Sequence, residues 1–137
     1  MNEAEAREAF AKARVARLAT LTSRGAPHIV PICFGLDGDV IYSPIDDKPK
    51  RTTDLQRLRN ISSDARVAVL ADHYDEHWED LWWVRADGRA RVASAGEQAI
   101  ALLARRYEQY RARPPRGAMI VIDVERWSGW RHTAATH

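Results

Sequence analysis

The chain has 137 residues, enough for one domain whose folding removes roughly two-thirds of its unfolded surface from water. Its formal net charge is only +2, with acids interspersed among the basic residues, which argues against a nucleic-acid-binding face. The single cysteine, Cys33, excludes an internal disulfide, and the apolar runs (119–122 among the longest) are of strand length, far short of a membrane span.

Of the 21 basic residues only Lys12, Lys48 and Lys50 are lysines. Arginine suits planar, bidentate contacts to phosphate and carboxylate, but beside abundant alanine the simpler source of the bias is a GC-rich genome. The N-terminus is charged from its third residue, where a secretory signal needs an apolar stretch. A cytoplasmic protein with neither membrane nor nucleic acid as partner is expected.

The opening segment predicts a helix ending near Arg14, with Asn2 as N-cap, Glu5 completing a capping box, and Ala6, Phe10 and Ala13 on one face. Val15 to Leu21 reads as a strand, Ser23-Arg24-Gly25-Ala26 as a turn, and Pro27 to Phe34 as the next strand. Along that strand His28, Val30, Ile32 and Phe34 share one face, and Ile29, Pro31 and Cys33 the other. Pro27 and Pro31 donate no ladder hydrogen bonds, which puts the strand at an edge or breaks it with a bulge. Leu36-Asp37-Gly38-Asp39 is a hairpin turn returning through Val40 to Ser43.

From Pro44 the polar stretch through Arg51 reads as a loop, and a short helix is expected from about Thr52 to Asn60, with Leu55, Leu58 and Ile61 at helical spacing. Arg66 to Ala71 is a buried strand, and Asp72 to Asp80 an acidic, aromatic loop. Leu81 to Ala86 and Arg89 to Val92 form a long strand interrupted at Asp87-Gly88 by a tight hairpin or a bulge. A helix over 94–112 follows, with Ser94 and Glu97 as a capping box and Ile100, Leu103, Ala104, Tyr107 and Tyr110 as its stripe. Pro114-Pro115 stops it. Met119 to Val124 closes the structure before a tryptophan-rich tail.

About six short antiparallel strands with three helices predict an α+β protein built on a β-barrel with peripheral helices. The expected layout is one domain over 1–137. It has a helix at 1–14, barrel strands over 15–93 with the short helix near 52–60, a helix at 94–112, and a closing strand and tail at 118–131.

Lys48, Lys50 and Arg51 run directly into Thr52 and Thr53 at the expected start of the short helix. Cations, hydroxyls and free backbone N–H groups at the positive end of a helix make a phosphate cradle. A solvated basic loop beside an N-cap threonine accounts for the same spacing equally well. His73-Tyr74-Asp75-Glu76-His77 matches the zinc-peptidase pattern H-x-x-E-H, but it follows a strand with no helical stripe to place both histidines on one face, so no metal site is assigned. Trp82 and Trp83, adjacent on a strand, point to opposite faces: one fills the barrel, and the other covers a second subunit or a ring-shaped ligand. Trp127-Ser128-Gly129-Trp130 reads as a mobile or partner-facing flap. Cys33 has no cationic neighbour in sequence and reads as an inert thiol. No catalytic residue is assigned, and an enzyme of this kind leaves the hard chemistry to a cofactor.

The run Arg17 to Phe34 (RLATLTSRGAPHIVPICF) resembles the opening of the pyridoxamine 5′-phosphate oxidase-like superfamily, whose FMN-binding split barrel begins with an LAT strand, a DGRP-like turn and a P-x-x-x-P strand. Val40 to Ser43, Lys50 to Leu55, Arg59-Asn60 and Ala65 to Ala68 continue the resemblance. Asp72 to Asp75, Leu81 to Val84 and Arg126 to Trp130 look most like its short actinobacterial branch, which uses the deazaflavin coenzyme F420. Pyridoxamine phosphate oxidases proper are longer and carry a basic C-terminal signature; here only Arg131-His132 stand there, which argues against a role in vitamin B6 synthesis.

The resemblance implies a homodimer with two cofactor sites at the subunit interface. Lys48, Lys50, Arg51 and Thr52 would hold the cofactor phosphate, although Thr53 and Asp54 stand where relatives often have Arg-Asn. The ring system would lie near Pro31, Ile32, Cys33, Tyr42 and Ser43, with Trp83 and Trp130 closing over it from the other subunit. The implied activity is an F420-dependent oxidoreductase transferring hydride to a small organic molecule, with bound water or Tyr42 delivering the proton. An FMN-dependent oxidoreductase and a non-catalytic carrier of either cofactor are the alternatives. The deazaflavin's anionic tail needs a further basic groove, for which Arg24, Arg57 and Arg59 are candidates.

Overall fold

The computed structural model describes residues 1–45, 55–115 and 117–133. The opening helix, α1 (Glu3–Lys12), starts as its sequence dictates: the Asn2 side chain accepts the Glu5 N–H at 2.8 Å, and Glu5 Oε1 accepts the Asn2 N–H at 3.0 Å. The helix buries Ala6 and Phe10. The Phe10 ring packs against Phe34 (centroids 4.6 Å apart) and edge-on against Trp127 (5.2 Å), which ties the helix to two segments distant in sequence.

Seven strands follow: β1 (Ala16–Leu21), β2 (Pro27–Ile32), β3 (Gly35–Asp37), β4 (Val40–Pro44), β5 (Arg66–His73), β6 (Trp82–Ser94) and β7 (Ala118–Arg131). They form one antiparallel sheet in the order β2-β1-β5-β6-β7-β4-β3. The two edge strands, β2 and β3, are consecutive in the chain and separated only by Cys33 and Phe34. The sheet therefore rolls into a barrel whose last seam is crossed by a covalent link, with no ladder joining β2 to β3. Inward-facing residues of the strands, from Leu18 and Ile32 to Val69, Ala86 and Ile122, share one core with Phe10 of α1. Of the two placements the prolines allow, an edge or a bulge, β2 takes the edge, with Pro27 opposite Leu21 and Pro31 opposite Arg17.

Several boundaries differ from the sequence reading. The helix expected from Thr52 is α2, Gln56–Ser63, entered through an extended Leu55; residues 46–54 lie outside those described. It docks on β1 through a buried polar chain in which Gln56 donates to Asn60 (2.6 Å) and Asn60 to the Thr20 hydroxyl (2.9 Å). At the far end of α2, Asp64 is held bidentately by Arg66 and accepts its backbone N–H, which lowers the Asp64 carboxyl to about 2.

The interruption at Asp87-Gly88 is a bulge in one continuous strand: Asp87 pairs with Arg126 and Gly88 with Val124, so Glu125 is the extra residue on β7. The tail after Val124 is no flap. It continues β7 to Arg131, because its alternation puts Trp127 inside on Phe10 and Trp130 outside opposite Trp83.

The helix expected over 94–112 is two, α3 (Glu97–Arg106) and α4 (Glu108–Ala112), hinged at an extended Tyr107. Ser94 caps neither. It is the last residue of β6, paired with Ala118, and Gly96 is the N-cap of α3. The hinge turns Tyr107 and Tyr110 inward, edge to face with centroids 5.5 Å apart. Arg106 donates to the carbonyls of Ala11 and Ala13 at the end of α1 and stacks over Phe34, 4.9 Å from its ring centroid.

Asp39, in the β3–β4 turn, ties α1 to β7. Its Oδ1 accepts from Trp127 Nε1 and Arg7 Nε, both at 2.9 Å, and the Trp127 bond followed by the Arg7 bond lowers its pKa. A lowered folded-state pKa contributes stability that is present above the ordinary carboxylate value and lost as pH falls through the native one. Asp39→Asn is expected to flatten the fall in the urea midpoint between pH 7 and pH 3; an unchanged difference between the two pH values would remove Asp39 from the acid response.

Candidate functional site

The seam of the barrel opens into a cavity of about 260 Å³. Pro31 and Ile32 from the end of β2, Cys33 from the seam, Ser43 and Pro44 from β4, Val15 ahead of β1, Arg57 from the first turn of α2 and Tyr110 from α4 line it. It exists because the chain leaves the sheet at Ile32 and re-enters at Gly35, so no strand fills the gap. The seam's peptide groups lack a ladder and are paired by side chains instead. Ser43 Oγ donates to the Cys33 carbonyl at 2.9 Å, and the Phe34 N–H donates to the Tyr107 hydroxyl at 3.1 Å. The walls are mainly apolar, with Arg57 as their formal charge.

Of the residues expected at a cofactor ring, Pro31, Ile32, Cys33 and Ser43 meet in this cavity. Tyr42 alternates away from it on β4 and packs with Cys33 against the small core of Leu103, Tyr107, Tyr110 and Met119. Trp83 and Trp130 are cross-strand partners on the outer face of β6 and β7. Ser43 pairs with Ile120, which pairs with Val92, and Trp83 lies nine residues before Val92, roughly 30 Å along β6. The two tryptophans are therefore far along the sheet from their own chain's cavity. Lys48, Lys50, Arg51 and Thr52 lie outside the described residues; the sequence joins them to Pro44 on one side and Arg57 on the other, both of which line the cavity.

Val15, Pro44, Arg57 and Tyr110 escaped the sequence reading of the ring site. Arg57, expected at an anionic tail, carried a signal, since it follows the basic run Lys48-Lys50-Arg51 by six residues in sequence. Val15, Pro44 and Tyr110 reach the cavity only through the fold. Arg24, offered for an anionic tail, sits in the β1–β2 turn beyond Pro27, at the opposite end of β2 from Pro31. Arg59 donates to Gln56 on its own helix.

The H-x-x-E-H stretch is split between elements. His73 ends β5 and pairs with Asp75 at 2.9 Å, while His77 precedes a 3-10 turn over Trp78–Asp80, so no helix face unites them. A larger groove of about 390 Å³ lies between α1 and the ends of β6 and β7, where Trp82 and Arg131 face Glu5, Glu8 and Lys12. Its charges answer one another, Arg131 with Glu5 at 3.8 Å and Lys12 with Glu8 at 3.5 Å, and it gathers none of the expected site residues. Among the described residues, no helix is long and apolar enough to cross a membrane.

Residues 3–131 match the sequence profile of the family described as pyridoxamine 5′-phosphate oxidase. No curated protein matches the chain. Among solved structures, a conserved hypothetical protein of Mycobacterium tuberculosis is 19% identical over all of this chain and 93% of its own, with a TM-score of 0.75. A FAD-binding protein of Mesorhizobium loti is 18% identical over 94% of each chain (TM-score 0.71). A FAD-binding protein of Mycobacterium smegmatis is 19% identical over 96% of this chain and 97% of its own (0.65). At such identities the likeness establishes a shared fold.

Proposed function

The chain belongs to the pyridoxamine 5′-phosphate oxidase family, and from that premise we propose that it is an oxidoreductase that binds a deazaflavin, F420, in the seam cavity of a homodimer and reduces a small organic molecule. The observation that carries this reading is the meeting of Pro31, Ile32, Cys33 and Ser43 around one cavity with a cation, Arg57, at its edge. Apolar walls suit the faces of a tricyclic ring, and a cation suits its phosphate or its anionic pyrimidine edge. The residues present fit such a group. Pro31, Ile32, Cys33 and Ser43 would border the ring, and Arg57 with Lys48, Lys50, Arg51 and Thr52 would hold the phosphate. Bound there, the cofactor would supply hydride, and the chain's own part is to orient it and exclude water.

A second copy is part of the proposal. At about 260 Å³ the cavity is smaller than the roughly 300–1,000 Å³ usual for small-molecule sites, as suits a pocket with one wall missing. Beside it Ile29 is 63% exposed and stands in register with Ala19 and Ala68 on the outer face of β2, β1 and β5, next to a row in which Arg17 stands between Pro31 and Leu70. This apolar strip suits a partner subunit. Trp83 and Trp130, too far along the sheet to reach their own cavity, would close over the partner's. FMN in the same site is the second reading, favoured by the FAD-binding relatives of the same fold.

Titration of cofactor-free protein with F420 and with FMN, followed by ring fluorescence, tests the reading. Binding of F420 with much weaker binding of FMN supports it, and the reverse makes the protein an FMN enzyme. Failure of both sinks the cavity as a cofactor site. Ile29→Arg is expected to convert a dimer to monomer in light scattering and to weaken binding with it; a monomeric wild-type protein that binds as tightly would overturn the interface.

A further inference from the structure

The seam cavity has walls from four different elements, and one peptide group stands between them. The Cys33–Phe34 peptide is the middle of the three peptide groups that link β2 to β3, and it is held from both sides: its carbonyl by Ser43 Oγ at 2.9 Å, its N–H by the Tyr107 hydroxyl at 3.1 Å. The same Tyr107 hydroxyl lies 2.9 Å from the Arg14 carbonyl and 3.1 Å from the Phe34 carbonyl, and shares its single proton between them. Arg14 precedes Val15, a wall of the cavity, and Tyr110, another wall, packs edge-on against the Tyr107 ring. Two hydroxyls thus connect the Val15, Cys33, Ser43 and Tyr110 walls.

We propose that Ser43 and Tyr107 are positioning residues of this pocket: by clamping the Cys33–Phe34 peptide across the open seam they set the spacing of its walls, and so the width of ring it admits. The proposal rests on the reading of the cavity as the cofactor's ring site, but the clamp itself acts in the empty protein. Elsewhere in the sheet, wall spacing is held by continuous ladders. At the seam there is none, so loss of one hydroxyl frees a whole edge. The Cys33 carbonyl and the Phe34 N–H are consumed by the clamp. Recognition at this wall then falls to shape and to the Cys33 side chain.

Cys33 reports the spacing, because it belongs to the cavity wall, packs half-buried against the Tyr107 and Tyr110 cluster and is the chain's one cysteine. In cofactor-free protein, Tyr107→Phe and Ser43→Ala are each expected to raise the rate of Cys33 alkylation by iodoacetamide about five- to tenfold, as loss of one buried hydrogen bond would. Ile122→Val, which trims a fully buried side chain in β7 and removes neither clamp hydroxyl, supplies the comparison for general loosening. It is expected to leave the alkylation rate within about twofold of wild type while lowering the urea midpoint. Unchanged rates in both clamp variants, or an equal rise in Ile122→Val, would overturn the proposal. Should Tyr107→Phe fail to fold, Ser43→Ala decides alone. Titration of the same variants with FMN and F420 separates the two levels of the argument. If wild type binds neither cofactor while the clamp variants still expose Cys33, the positioning role stands and the cofactor reading falls.

Discussion

Gly88→Ala is expected to be the most damaging small substitution in the barrel. A Cβ at this position would lie 2.2 Å from the Asp123 carbonyl oxygen and 3.0 Å from Val124 Cα, both backbone atoms of the neighbouring strand. No side chain is there to swing aside. The β6–β7 ladder would have to part at its bulge, where Glu125 is already unpaired and two register frames meet. Overpacking of this kind costs about 3 kcal/mol, which in a domain of this size lowers the melting temperature by roughly 10 °C. Calorimetry of Gly88→Ala beside Gly96→Ala, whose added Cβ meets nothing within 4 Å, checks the cause. Equal losses in the two variants would point to a general glycine effect rather than to the close approach at the bulge.

Arg57→Ala is expected to weaken cofactor binding by roughly 10- to 100-fold, the range for loss of a charge-assisted hydrogen bond. Arg57 sits in the first turn of α2, where the helix dipole adds to its charge, and it reaches the cavity directly. Arg57→Lys should recover the charge but only part of the affinity, because a lysine lacks the planar fork. Titrations at low and high salt, with urea midpoints alongside, separate binding from folding. Unchanged affinity in Arg57→Ala, with binding abolished by Lys50→Ala and Arg51→Ala, would assign the anion to the 48–52 segment alone. Unchanged affinity in all three would leave the phosphate site without support.

Local chemistry made much of this fold legible. The Asn2–Glu5 capping box, the Gly25 and Gly38 turns with positive φ, and the alternation of β2 each need only neighbours in sequence, and each is found as expected. The misplaced boundaries are those decided at a distance. Ser94 carries the right spacing for a cap, yet the ladder to Ala118 keeps it in β6. The stripe through Tyr107 reads as one helix, yet the Tyr107 hydroxyl is drawn to backbone groups of Arg14 and Phe34, more than seventy residues away. The Trp127–Trp130 tail reads as loose because its partner strand, 82–87, lies some forty residues upstream.

The site divides along the same line. Pro31, Ile32, Cys33 and Ser43 were named from the family resemblance, and a strand end, a short link and a returning strand bring them around one cavity. Val15, Pro44 and Tyr110 were not, and Arg57 was expected at an anionic tail rather than in this cavity, since helix, loop and hinge reach it from separate parts of the chain. By itself the sequence determined the cap of α1, the inward and outward faces of the strands and the restriction of β2 to an edge or a bulge, because periodicity, caps and prolines act through covalent neighbours. Only the tertiary structure decided that β2 and β3 leave an open seam and that Ser43 and Tyr107 clamp it. Closing a sheet into a barrel is a long-range event, and the sum of all strand pairings determines which peptide groups are left without a ladder.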